Sequence, residues 1–156
     1  MSFSVMMRGL AVAATVLATV LGPTTPAQAA TTAAKRCETP GGHPNTHVCI
    51  RYKRDGDGHH WARATIRNDR YPGDGPVDIV WVRLLRFDCG TGQWKVVRKK
   101  EGSHTYQAYE ATLTTGKYTD FYSAVRWRAV ASWVIQERHG TLSGEIRTRP
   151  VGSCEL

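Results

Sequence analysis

After residue 45, apolar and polar residues alternate along the chain with a period of two rather than 3.6. The alternation is clearest in Ala124–Gln136, whose sequence is AVRWRAVASWVIQ. A helix would scatter the apolar residues of this segment around its circumference, whereas a strand gathers them on one side. The apolar side consists of Val125, Trp127, Ala129, Ala131, Trp133 and Ile135. The other side carries Arg126, Arg128, Ser132 and Gln136, interrupted by Val130 and Val134. The segment is therefore predicted to be a strand with one buried face.

The segment Val77–Asp88 is apolar on both faces for most of its length, which is typical of a central strand that is covered on both sides. Shorter strands are predicted at His47–Lys53, His60–Arg67, Gln93–Lys99, Thr105–Thr112 and Leu142–Thr148. Turn sequences such as DGDG, YPGDGP and CGTGQ separate them. Seven strands without a convincing helix predict an all-β fold. A small antiparallel β-sandwich, Ig-like in a loose sense, is favoured over a small barrel.

The amino-terminal segment has the features of a secretory signal peptide. Arg8 is its single charged residue, Leu10–Leu21 is an unbroken run of apolar, Thr and Ala residues, and Ala27-Gln28-Ala29 is a small-x-small cleavage signal. An uncleaved anchor is the alternative, although the run is short for a membrane span. We therefore expect a signal peptide over residues 1–30, a flexible leader over residues 31–36 and a single β domain over residues 37–156. The mature chain should be secreted, extracellular and without a transmembrane segment.

The charge balance and the cysteines fit an exported protein. The formal net charge of the whole chain is +8, and removal of the leader would take away Arg8 and no acid, leaving +7. Such a charge makes an anionic polymer or surface a plausible partner, although a basic surface kept for solubility would look the same. All four cysteines lie beyond residue 30. An even number of cysteines in an exported chain predicts disulfides, and no pair has the close spacing of a structural zinc site.

Four cysteines allow three pairings. We favour Cys37–Cys49 with Cys89–Cys154, because the Pro- and Gly-containing segment between the first two lets the chain double back. The second bond would tie the carboxyl-terminal tail to a hairpin tip. The runner-up is Cys37–Cys154 with Cys49–Cys89, because the ends of domains often lie close together.

The segment Arg54–Arg63, RDGDGHHWAR, is the place in the chain that most resembles a metal or catalytic loop. It fails the EF-hand pattern, because His59 and His60 stand where the third acid and the glycine should be and no terminal Glu follows. A hairpin with Gly56 and Asp57 at its tip fits better, and it sets Tyr52 opposite Trp61. The two histidines would then point to opposite faces, which is most often the case of two solvated side chains at a strand start. No metal site is predicted.

The motifs of common enzyme classes are missing, including Gly-x-Ser-x-Gly, His-Glu-x-x-His and the nucleotide-binding loops. The segment HTYQAYEATLTTGKYT contains His104, Tyr106 and Glu110, and His139 lies further on. In overall plan this short, exported, basic chain, with Glu, His and Arg available, resembles the small microbial ribonucleases. That resemblance implies a carboxylate and a histidine acting as base and acid around a phosphate held by arginine, with Glu110, His104 and His139 as the available residues. The chain departs from the family because Lys117 is the only cation between Glu110 and Arg126.

A cationic strip is predicted where the chain turns through CGTG. Joining Asp88 to Gln93 sets Phe87 opposite Trp94, Arg86 opposite Lys95 and Arg83 opposite Arg98. Like charges facing one another are destabilising unless an anion lies between them, so either this sheet binds anions or the register is off by one. Trp61 and Trp94 lie near turns, where they can stack on a sugar or a base. The candidate binding residues are Arg83, Arg86, Lys95, Arg98, Lys99, Lys100, Trp61 and Trp94.

These features favour a secreted, non-enzymatic binding module for anionic cell-surface or extracellular polymers. The alternatives are a small secreted hydrolase such as a ribonuclease, and a secreted inhibitor or effector protein. No cofactor is predicted, and the sequence does not set the oligomeric state or identify the ligand.

Overall fold

A computed structural model describes residues 31–70, 75–103, 109–121 and 125–154, so the predicted signal peptide lies outside the described residues. Within these ranges the chain forms strands and no helix. The strands are β1 (Thr31–Glu38), β2 (Thr46–Arg54), β3 (His59–Asn68), β4 (Val77–Asp88), β5 (Gln93–Glu101), β6 (Glu110–Thr114), β7 (Tyr118–Thr119), β8 (Arg126–Glu137) and β9 (Gly140–Arg147). Residues 105–108 and Ala124, which the sequence assigned to strands, are not among the described residues.

The strands form two antiparallel sheets, which confirms the predicted all-β, sandwich-like fold. The first sheet has the order β1-β2-β3-β6, and β7 also pairs with β3. The second has the order β5-β4-β8-β9. The long strands β4 and β8 lie at its centre; the apolar composition of Val77–Asp88 predicts this position for β4.

The hydrophobic core lies between the sheets. Ile50 and Ile66 of the first sheet and Leu84 and Ile135 of the second have no exposed surface. Burial alternates along β2 and β3, so every second residue of the first sheet points outward.

The stretch Thr31–Lys35, predicted to be a flexible leader, belongs to β1 and pairs with β2. Ala34 is buried in the core, and Cys37 lies directly opposite its disulfide partner Cys49. The polar, Thr- and Ala-rich composition of this stretch carries no strand signal of its own. It forms an edge strand because β2 offers a partner and the disulfide holds the two strands together.

The hairpin between β2 and β3 has a register one residue away from the predicted one. Tyr52 faces Ala62, and Trp61 faces Lys53 instead of Tyr52. The reason lies in the turn, where the Asp55 carboxylate accepts hydrogen bonds from the backbone N–H groups of Asp57 (3.2 Å) and His59 (2.9 Å). These bonds stabilise a longer loop than the two-residue tip that the sequence suggested.

The predicted pairing of β4 with β5 is correct near the turn and shifts farther away from it. Phe87 faces Trp94 and Arg86 faces Lys95, as expected. A bulge between Leu84 and Leu85 then moves the register, so Arg83 faces Lys99 rather than Arg98. An extra residue on one strand cannot be read from an apolar pattern that is interrupted by charges.

Both predicted disulfides are present, as Cys37–Cys49 and Cys89–Cys154, and the alternative pairing is excluded. The first bond joins neighbouring strands of the first sheet. The second ties the carboxyl-terminal segment to the turn between β4 and β5. A search of the described residues finds no helix that is long and apolar enough to cross a membrane.

Candidate functional site

The structure distributes the predicted cationic strip over two sides of the second sheet. The outer face of this sheet carries Arg83, Lys99 and Trp94. On β4, Arg83 and Phe87 alternate with inward-facing residues such as Leu84, and Lys99 and Trp94 of β5 lie opposite Arg83 and Phe87. Lys100 has the opposite orientation, since it faces the fully buried Val82. Only part of the predicted set therefore lies together.

Four other predicted residues are in contact with neighbouring side chains or backbone atoms. Arg86 donates to the Asp120 carboxylate at 2.7 Å, and Lys95 donates to Asp88 at 2.6 Å. Arg98 lies over the Tyr118 ring at 4.9 Å and donates to the Lys117 carbonyl at 3.2 Å. Trp61 belongs to the first sheet, where its ring contacts Lys117 at 5.2 Å.

The outer face of the second sheet combines arginines with aromatic rings. We call this surface the arginine face, and it consists of Arg83, Arg126, Arg128, Trp81, Phe87 and Trp94. The guanidinium of Arg83 lies 4.0 Å from the Trp81 ring centre, and that of Arg128 lies 4.6 Å from the Trp94 ring centre. Each arginine thus lies over an aromatic ring at a distance typical of a cation–π contact.

The same stacking extends along the strands. The guanidinium of Arg126 lies 5.5 Å from the Phe87 ring centre, and Phe87 itself contacts Trp94 at 5.1 Å between ring centres. Val130 is buried on this side although it is not part of the core between the sheets. Its register neighbours are Arg83 and Arg147, so these long side chains cover it. The arginine face is therefore a packed, ordered surface.

The central arginines of this face lack acidic partners. Within the described part of the chain, no carboxylate lies within 4.0 Å of Arg83, Arg126 or Arg128. The Nε atoms of Arg83 and Arg128 are buried and have no hydrogen-bond acceptor there. Buried donors are usually satisfied, so these two atoms mark places where an acceptor is missing.

The electrostatic environment of Arg128 is unfavourable for its charge. Burial, and then the neighbouring charges of Arg147 and Arg126, lower the pKa of Arg128 from its ordinary value. Two acids on this side are already paired with edge cations, since Glu101 pairs with Lys99 and Glu145 accepts from Arg147 at 2.9 Å. A negatively charged ligand would supply the missing countercharge.

A second set of cations crosses the outer face of the first sheet. Lys35 faces Arg51, and Arg51 faces Arg63, so three positive side chains lie side by side on β1, β2 and β3. We call these three residues the cationic row. Lys53 follows it along β2 and faces Trp61. The row was not predicted from the sequence, because the expected hairpin register differs by one residue from the observed pairing of Arg51 with Arg63.

The loop Asp55–His59 is held by its own hydrogen bonds. Ligand atoms of Asp55, Asp57 and His59 lie within 4.8 Å of one another. Desolvation, the largest effect, would raise the pKa of Asp55, but hydrogen bonds from the His59 backbone, the Lys117 side chain and the His59 ring together hold it below its usual range. Lys117 Nζ already lies 3.0 Å from the carboxylate. The contacts of the Asp55 carboxylate among the described residues are therefore those that stabilise a turn.

The residues implied by the ribonuclease resemblance are dispersed in the structure. Glu110 is exposed on β6 of the first sheet and faces Arg67. His139 lies in the turn between β8 and β9 of the second sheet, and His104 is outside the described residues. Among the described residues, no hydrogen bond or ion pair joins Glu110 to a histidine.

A histidine that the sequence placed in solvent is buried at the end of the sandwich. His60 is 2% exposed and stacks on Trp127, with 4.1 Å between ring centres. As predicted, His59 and His60 lie on opposite faces of β3. A shallow pocket of about 550 Å³ opens nearby, lined by Arg86, Tyr118, Thr119, Asp120 and Phe121. Its arginine is neutralised by Asp120, so it offers less to an anion than the arginine face does.

In comparisons with known proteins, no family model matches the chain, and no curated protein has a significantly similar sequence.

Proposed function

We propose that the protein is a non-enzymatic binding module that holds an anionic extracellular polysaccharide on its arginine face. The proposal rests on the contacts that Arg83, Arg126 and Arg128 make and on the carboxylate partners that they lack. Each is stacked on an aromatic ring, and none has a carboxylate partner among the described residues. Guanidinium groups fixed in this way present N–H donors to sulfate or carboxylate groups, with little loss of side-chain entropy on binding.

The packing of the rings favours a polysaccharide over a nucleic acid. Single-stranded nucleic acids bind by stacking bases on open aromatic faces. Here Trp81 and Trp94 each have a guanidinium over the ring, at 4.0 Å and 4.6 Å. These rings therefore position arginines, and the anionic groups of the ligand are the expected point of contact.

Two further features support an extracellular partner. Disulfides persist in oxidising environments, and this chain has two. The predicted signal peptide would export a chain with a net charge of +7 into surroundings that contain acidic glycans. Both features agree with the proposal without identifying the particular glycan.

The test is retention of the mature protein on immobilised heparin, with a neutral dextran matrix and RNA as comparisons. We expect retention on heparin at low salt and elution as the salt rises, because the Debye length falls to about 8 Å near physiological ionic strength. The variant Arg83→Gln/Arg126→Gln/Arg128→Gln should elute at clearly lower salt than the parent.

The matched control is Arg70→Gln/Lys100→Gln/Arg138→Gln, which removes the same charge from exposed residues away from the arginine face. Circular dichroism and thermal unfolding would establish that both variants fold. Equal weakening by the two variants would refute a site on the arginine face. Equal retention on dextran would refute an anionic ligand, and loss of RNA during incubation would favour the ribonuclease alternative.

A further inference from the structure

The cationic row is the second place where the fold concentrates positive charge without an acidic partner. In β-sheets, directly opposed side chains have Cβ atoms about 4.5–5.5 Å apart, and like charges at that spacing are destabilising. Arg51 has such a neighbour on each side, Lys35 on β1 and Arg63 on β3. Across the described ranges, no carboxylate lies within 4.0 Å of any of the three.

Two acids that lie just beyond the ends of β2 and β3 are already engaged with other cations. Asp69 pairs with Arg67 at 2.5 Å, and Asp55 pairs with Lys117 at 3.0 Å. Lys117 also lies over the Trp61 ring at 5.2 Å, so the row has further positive charge beside it. Lys35 and Arg63 are exposed and Arg51 is half-buried, so their charged groups reach solvent. A ligand can approach the row from the outside of the first sheet.

The cationic row and the arginine face point away from each other. The row is on the outer side of the first sheet, and the arginine face is on the outer side of the second. The core fills the space between the sheets, which in sandwiches is about 10 Å thick. An extended polymer bound along one face therefore leaves the other face free.

We infer that the cationic row is a second site for anionic polysaccharide, so that one molecule bridges two polysaccharide chains. The inference rests on the proposed function of the arginine face, and it extends that function from binding to cross-linking. Two sites on one rigid domain would also raise the apparent affinity for a dense glycan layer, because the second contact becomes intramolecular.

The test uses a short heparin oligosaccharide of uniform length and measures how many copies bind to one protein molecule. Isothermal titration calorimetry should give two per molecule for the parent protein. It should give one for Lys35→Gln/Arg51→Gln/Arg63→Gln and one for Arg83→Gln/Arg126→Gln/Arg128→Gln. In a second measurement, protein held on immobilised heparin should capture a fluorescent heparin oligosaccharide, and either triple variant should lose most of that capture.

The single variant Arg63→Glu guards against loss of the fold. It places a carboxylate opposite Arg51, so it should preserve or raise thermal stability while abolishing the second binding event. Failure of the parent to bind heparin at all would refute the proposed function. Binding of one oligosaccharide without capture of a second would overturn only the bridging inference, as would full capture by the variants of the cationic row.

Discussion

Tyr52 donates its hydroxyl proton to Nδ1 of His60 across 2.6 Å, inside the sandwich. The other ring nitrogen, Nε2, lies 3.1 Å from the carbonyl oxygen of Asp120, which can only accept. The proton of the neutral imidazole is therefore on Nε2, and Nδ1 is free to accept from Tyr52. This pair links β2, β3 and the segment after β7, and donation by Tyr52 corresponds to an uncharged His60.

The first prediction concerns acid stability. Burial, and after it the charge of Arg54, lower the pKa of His60, although the Asp120 carbonyl opposes the shift. At pH values between the pKa of His60 in the folded protein and its pKa in the unfolded chain, the unfolded chain binds one more proton than the folded protein. The free energy of unfolding should therefore fall as the pH drops below about 6.5, by at most about 1.4 kcal/mol per pH unit for one proton.

Urea unfolding at several values of pH between 5 and 7.5 would measure this dependence. The variant His60→Gln should flatten it, and His139→Gln, at an exposed turn residue, should leave it unchanged. The Asp55 carboxyl, whose pKa is also lowered, contributes at more acidic pH, below the 3.8 of the unfolded group. An unaltered slope in His60→Gln would show that the acid sensitivity arises elsewhere.

The second prediction isolates the hydrogen bond between the two rings. Tyr52→Phe keeps the aromatic packing and leaves Nδ1 of His60 without its donor, so it should lower the free energy of unfolding by about 1–3 kcal/mol at pH 7.5. Loss of a donor to the unprotonated nitrogen also favours protonation. The pKa of folded His60 should therefore rise toward its unfolded value, so this variant should lose less stability than the parent as the pH falls from 7 to 5, and an unchanged loss would contradict the proposed tautomer.

The third prediction concerns the cost of the cationic row. Arg51→Gln removes two like-charge contacts, with Lys35 and with Arg63, and should raise the free energy of unfolding by about 0.2–1 kcal/mol at low salt. The gain should shrink at high salt because the repulsion is screened in the parent protein. Arg70→Gln is the control for the change in net charge. A salt-independent effect of Arg51→Gln would mean that repulsion is not its cause.

The fourth prediction concerns Gly144, which leaves room for an indole. A Cβ atom at this position would lie 2.4 Å from Cζ2 of Trp133, the residue opposite it on β8. Gly144→Ala should therefore displace the ring and lower the free energy of unfolding by about 1–3 kcal/mol. Gly116→Ala, where a Cβ would meet nothing within 4 Å, should be nearly neutral. Equal effects of the two substitutions in a denaturant titration would rule out the steric explanation.

The fifth prediction compares the two disulfides. Cys37–Cys49 spans 12 residues and Cys89–Cys154 spans 65. Loop-closure entropy predicts a stabilisation of about 3 kcal/mol for the shorter loop and about 4 kcal/mol for the longer one. Replacing the second pair by serines should therefore cost more in a thermal unfolding measurement. A larger loss from the first pair would indicate that holding β1 against β2 matters more than chain entropy.

The sequence by itself determined the class of fold, the main strands and the disulfide pairing. Two segments predict strands by their own polarity pattern: Ala124–Gln136 alternates with a period of two, and Val77–Asp88 is apolar on both faces. In each, the polarity of the side chains indicates which faces of the strand are buried. The same alternation already placed Arg126 and Arg128 on the outer side of their strand. The contiguous grouping of these arginines with rings on β4 and β5 was not visible, because it depends on which strands are neighbours.

The tertiary structure alone decided register and side-chain partners. A shift of one residue turns a strand over, and the shift between Tyr52 and Trp61 comes from carboxylate hydrogen bonds in the turn. That shift buried His60 in the core and lined up Arg51 with Arg63 on the outside. The bulge beside Leu84 likewise places Arg83 opposite Lys99 in the strand register. Polarity fixes which residues prefer water, but only the hydrogen-bonded pairing of strands fixes which charges become neighbours.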